Sequence, residues 1–180
     1  MLTPQQRAIA EGYLNYKASW SKANDHLIWG ATRSPVPALA PLGAVDVYKT
    51  QYGNPYTGDP LRGVVDFYTN PNRLQAALIN GTVNRLYIDC DDVAGWYLTA
   101  VRQVAGYSAH LLTLIDSRIV GSHVICVYTG LDGKCGGLDT NGHHDLADLT
   151  EATICEHWSA LYAGNGYHYI GAVTTEYPFV

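Results

Sequence analysis

The chain has 180 residues, 47% hydrophobic and 15% charged, which makes one domain by length with material for a sizeable core. A formal net charge of -5 with no basic run excludes phosphate-backbone binding, so no nucleic-acid partner is expected. The opening residues Met1-Leu2-Thr3-Pro4-Gln5-Gln6-Arg7 show no basic-then-apolar leader, and no stretch reads as a membrane span, so a cytoplasmic protein without a membrane partner is the expectation.

In chain order, Ile9, Tyr13, Tyr16 and Trp20 recur at helical spacing and predict a helix over 5–20, with Thr3-Pro4 as its start. Residues 30–63 hold most of the prolines and read as an irregular Pro/Gly-rich arm docked over the single domain or serving as a linker, with Val45-Asp46-Val47-Tyr48 as a short strand. Asn70-Pro71 opens a second helix that ends near Asn80-Gly81. A third starts at Asp89 or Cys90; Val93, Trp96, Tyr97, Ala100, Val101 and Val104 form its apolar face, and Gly106 ends it. Strands are expected at 110–116, 123–129 and 135–140, with a turn at Gly130–Gly133, then a helix over 149–162 and a last strand over 168–175. Helices followed by antiparallel strands define an α+β domain.

Fourteen tyrosines stand against two phenylalanines, which suits half-buried wet surfaces and equally suits a tyrosine-rich core. Cysteines at 90, 126, 135 and 155 form no C-x-x-C pair, which removes the zinc-ribbon and thioredoxin motifs. Cys126, Cys135, His143, His144, Cys155 and His157 leave a zinc site open, but their spacing is scattered, and no metal or cofactor is expected. His143 and His144 read as exposed loop histidines without a partner, and His110 as structural.

Cys90 would open a helix, where unpaired N–H groups favour a thiolate and an oxyanion. Asp89, Asp91 and Asp92 oppose that by raising the thiol pKa, although Asp89 also suits the N-cap; His123 would supply the compensating cation. A lone cysteine is more often a buried inert thiol. The partners shift the balance. A hairpin through Gly130–Gly133 with an index sum of 262 sets His123 directly opposite Asp139, where a carboxylate can fix the imidazole tautomer. On that strand His123, Ile125 and Val127 share one face, and Val124, Cys126 and Tyr128 the other.

The string Asp-Cys-Asp-Asp-x-Ala (Asp89 to Ala94), then a helix, Gly106, a strand, His123-Val124, and Leu138-Asp139-Thr140-Asn141 resembles the bacterial transglutaminase-like cysteine peptidases, of the transglutaminase-like, papain-related superfamily. The likeness covers roughly residues 70–142. It implies a papain-like core with the Cys helix packed on an antiparallel sheet, Cys90 as nucleophile, His123 as general base and acid, and Asp139 as the orienting carboxylate. A protein or peptide substrate follows, with Asn84 or Tyr87 as a candidate second oxyanion donor beside the Cys90 N–H. Ile88 departs from the pattern, standing where a glycine commonly precedes the Asp-Cys pair. Members occur in bacteriophage genomes and some are non-catalytic, so the alternative is a structural or adaptor subunit, for example in a virion.

Overall fold

The computed structural model describes residues 1–28, 32–57, 68–83, 86–118 and 122–179. It is an α+β arrangement in which one antiparallel sheet is covered by helices on both faces. No helix among the described residues is long and apolar enough to cross a membrane.

Helix α1 (Pro4–Ile28) starts where expected but runs eight residues further. Its first turn is tied reciprocally: the Gln6 N–H donates to Thr3 Oγ1 at 3.2 Å and the Thr3 N–H to Gln6 Oε1 at 2.9 Å. Of the residues whose spacing predicted the helix, Ile9, Tyr13 and Tyr16 are exposed. The buried side is Leu14, Lys17, Ala18, Ser21 and Asp25. Ion pairs orient it, because Lys17 meets Asp91 and Asp25 meets Arg73 at 3.0 Å, and a buried charge is tolerable only when paired.

The arm is docked. Backbone N–H groups of Ser34 and Leu39 donate to the carbonyls of Asn72 and Ala100. Val45–Tyr48, expected as a strand, is helical: α2 (Pro41–Asp46) passes into a π-turn (Val47–Gln51). Pro41 sits in the first turn, and Pro41, Ala44 and Tyr48 are buried at helical spacing. Tyr48 packs 5.3 Å from the Trp96 ring and 5.5 Å from Tyr97. Residues 58–63 of the arm lie outside the described residues.

Helix α3 (Pro71–Asn80) follows its Asn70 cap and ends on Gly81, whose φ of 63° suits a residue without a Cβ. Helix α4 (Cys90–Arg102) carries a full capping box: the Asp89 and Asp92 side chains each accept from the other end of the first turn. Such a cap stabilises by about 1 kcal/mol. The helix stops at Arg102, short of Gly106, where the Arg102 Nε donates to the Ala109 carbonyl at 2.8 Å. Val93, Trp96, Tyr97, Ala100 and Val101 are fully buried, and Val104 lies beyond the helix.

The strands are β1 (Ser108–Asp116), β2 (Ser122–Thr129), β3 (Cys135–Asp139), β4 (Gly142–Leu146) and β5 (Tyr169–Thr175), ordered β4-β3-β2-β1-β5. Strand β4 was not expected from the sequence; it places His143 and His144 in the sheet, half-buried, and not in an exposed loop. Helix α5 (Glu151–Leu161) precedes β5.

Alternation divides the core in two. Leu111, Val124, Cys126 and Leu138 face α4, while Leu112, Leu114, Ile125 and Val127 face α5 with Ile154 and Trp158. Cys126 and Cys155 thus lie in different clusters, on opposite sides of the sheet. At outer strand β5, the Ala172 N–H donates to Glu151 Oε1 at 3.0 Å and its carbonyl accepts from Arg7 at 3.0 Å. Arg7 and Glu151 also pair with each other at 2.8 Å.

Candidate active site

Antiparallel order gathers the start of β2, the end of β3 and the starts of β4 and β5 at one end of the sheet. His123, Asp139 and Tyr169 belong to that end. The observed register pairs Cys126 with Leu138 and Val127 with Gly137, an index sum of 264 (126 + 138), not the expected 262. His123 is therefore not directly across from Asp139 but two residues beyond the position that is. A shift of two preserves the face, and the His123 imidazole still reaches Asp139, Nε2 to Oδ2, at 3.0 Å.

Asp139 is fully buried and accepts six hydrogen bonds. Oδ2 takes His123 Nε2, Trp158 Nε1 and the Tyr162 hydroxyl, each at 3.0 Å. Oδ1 takes the Asn141 N–H at 2.8 Å, the Gly142 N–H at 3.2 Å and His144 Nε2 at 3.0 Å. Burial alone would raise the carboxyl pKa, but the bonds from His123 and His144, with the charge of His123 and the Trp158 indole, hold it far below the ordinary range. An ionised carboxylate only accepts, so His123 carries its proton on Nε2 and presents Nδ1 as the basic nitrogen. The Tyr162 ring meets the imidazole edge-on at 5.1 Å and covers it from α5.

Cys90 is half-buried at the first position of α4, on the opposite face of the sheet from the imidazole. Burial first, then the charges of Asp89 and Asp91, push its thiol pKa well up; the Val124 N–H and Lys17 pull it partly back. The sulfur thus lies beside the residue that follows His123, and at neutral pH it is a thiol. No hydrogen bond joins it to the imidazole among the described residues. The cation in its field is Lys17, which the sequence reading had not placed there. Burial first, then neighbouring charges that include Cys90, raise the phenol pKa values of Tyr169 and of Tyr56 in the arm.

Of the candidate oxyanion donors, Asn84 lies outside the described residues, and Tyr87 is 52% exposed and makes no hydrogen bond to Cys90 among the described residues. The Cys90 N–H has no partner within its own helix. Three residues of the site escaped the sequence reading: His144, Trp158 and Tyr162. Trp158 on α5 and Tyr162 at its C-cap are four apart, a one-face spacing, and Asn141-Gly142 between alternating runs is a hairpin signal that would have placed His144 two positions after the turn, on the face of Asp139. Asp89, Asp91 and Asp92 bring carboxylate oxygens within 4.8 Å of one another, but the capping box and Lys17 already engage them.

No protein-family model matches the chain, and no curated protein matches it.

Proposed function

We propose that the protein is a cysteine-dependent acyl-transfer enzyme, peptidase- or amidase-like, on a transglutaminase-like, papain-related core. The observation that supports this most is the His123–Asp139 pair, with its tautomer fixed, at the same sheet end as a half-buried cysteine on a helix N-terminus. In this reading the His123 ring, near the start of β2, turns from the α5 face round the end of the sheet to the sulfur; Nδ1 then takes the Cys90 proton and the sulfur attacks a carboxamide or peptide carbonyl. The Cys90 N–H donates to the resulting oxyanion. The imidazolium returns its proton to the leaving amine as the C–N bond breaks, leaving a thioester. Water then hydrolyses it, or an amine takes the acyl group.

The second reading, a non-catalytic structural or adaptor subunit such as a virion component, is favoured by one observation: the thiol is desolvated among acids and makes no bond to the imidazole. Iodoacetamide labelling separates the two. For an enzyme, His123→Ala slows alkylation of Cys90 at neutral pH, and both His123→Ala and Cys90→Ala lower turnover of casein, peptidoglycan fragments or amine-incorporation substrates by about 10³-fold or more. For a scaffold, labelling rises only at alkaline pH, is indifferent to His123→Ala, and no activity depends on Cys90.

A further inference from the structure

Asp139 has two oxygens and serves two imidazoles, and only one of those belongs to the reaction proposed above. His144 Nε2 reaches Oδ1 at 3.0 Å from β4, while His123 Nε2 reaches Oδ2 at 3.0 Å from β2. Both nitrogens must carry protons, because the carboxylate between them can only accept. The His144 ring is fixed by packing, 5.2 Å from the Trp158 ring and 5.1 Å from the His157 ring. Trp158 in turn donates to Oδ2, so the two imidazoles and the carboxylate form one buried unit braced from α5.

We propose that His144 is a positioning residue of this site: it shares the Asp139 carboxylate with His123 and sets how much negative charge the His123 imidazole feels. The proposal rests on the acyl-transfer reading for its catalytic meaning, not for its physics. One carboxylate serves two ring donors. Its charge and lone pairs are divided between the two N–H groups, so the bond His144 makes at Oδ1 changes the bond His123 makes at Oδ2. Neutral His144 still donates its N–H, which holds the carboxylate in plane while leaving its charge to His123.

The groups around His144 allow this coupling to be isolated. Asp139 faces it from β3, His157 and Trp158 from α5, and His123 from β2 and Tyr162 through the shared carboxylate. Tyr97 of α4 approaches Asp139 from the other side of the sheet. On β4 itself, His143 and Asp145 pair with each other at 3.9 Å, on the alternate positions. Burial and then the charge of His144 lower the His157 pKa, so that ring is the less ready to compete for a proton.

The test is NMR of the full-length chain at one fixed pH, following the His123 Nε2–H and Trp158 indole N–H resonances, both of which report bonds to Oδ2. In His144→Ala the donor to Oδ1 is lost and both resonances should shift; in His144→Gln, which keeps a neutral donor for Oδ1, they should return toward their wild-type positions. Unchanged resonances in His144→Ala, or equal shifts in the two variants, would overturn the proposal. If the variants do not fold, a wild-type His144 Nε2–H that exchanges with solvent as fast as an unbonded imidazole N–H overturns it equally. The spectra are readable whether or not any substrate is turned over, so failure of the acyl-transfer reading shows separately, as activity indifferent to Cys90→Ala.

Discussion

Asp139 concentrates much of the chemistry in one carboxylate. Six donors surround two oxygens, and removing the charge leaves those donors facing an amide that can satisfy only some of them. Asp139→Asn should lower stability by about 2–4 kcal/mol, measured by urea unfolding. The same group links stability to pH. Its folded pKa is depressed, so its contribution is complete above the ordinary carboxylate range and is lost as pH falls below about 4 toward the folded value. The wild-type urea midpoint should therefore drop between about pH 5 and pH 3, and drop less steeply in Asp139→Asn. Asp116 contributes in the same direction: burial would raise it, but bonds from Arg118 and the His168 N–H hold it at about 2. At this scale the His123–Asp139 contact was legible because face parity survives a register error of two. The Cys90 environment was half legible: the raising effect of the aspartates follows from adjacency in sequence, whereas Lys17, 73 residues upstream (90 − 17), becomes a neighbour only through the packing of α1.

Among the elements, α3 came out as read, bracketed by Asn70-Pro71 and Gly81, while α4 starts as read at Asp89-Cys90 but ends at Arg102, before Gly106. Two features were not legible. The buried face of α1 is specified by partners on α3 and α4, which periodicity within one helix does not record. Val45–Tyr48 misled because two β-branched residues outweighed the Pro41, Ala44, Tyr48 spacing. The contact between α5 and the sheet depends on a missing side chain: a Cβ on Gly137 would overlap the Trp158 ring, the same ring whose indole N–H holds Asp139. Gly137→Ala should cost about 1–3 kcal/mol in urea unfolding and should also move the Trp158 indole N–H resonance. A normal indole resonance with unchanged stability would show that α5 can shift without disturbing the site.

For the molecule as a whole, the α+β class and the antiparallel sheet were legible from the order of helices and strands, while the helical covering of both faces was not. The arm is part of the core: Tyr48 sits fully buried between Trp96 and Tyr97, so the described arm residues 32–57 help stabilise the domain. Helix α2 likewise packs against β4, so both outer strands have helical neighbours from the N-terminal half. On the other side, Arg7 and Glu151 occupy the outward carbonyl and N–H of Ala172. Replacing both with alanine frees those groups, and static light scattering should then show association that grows with concentration, where the parent's molar mass does not change. Equal behaviour of parent and variant would mean that neighbouring side chains suffice to keep the edge closed. The Arg7–Glu151 pair thus acts as a molecular cuff: by occupying the hydrogen-bonding groups a foreign chain would need, it denies β-augmentation a foothold and protects the fold from templated aggregation.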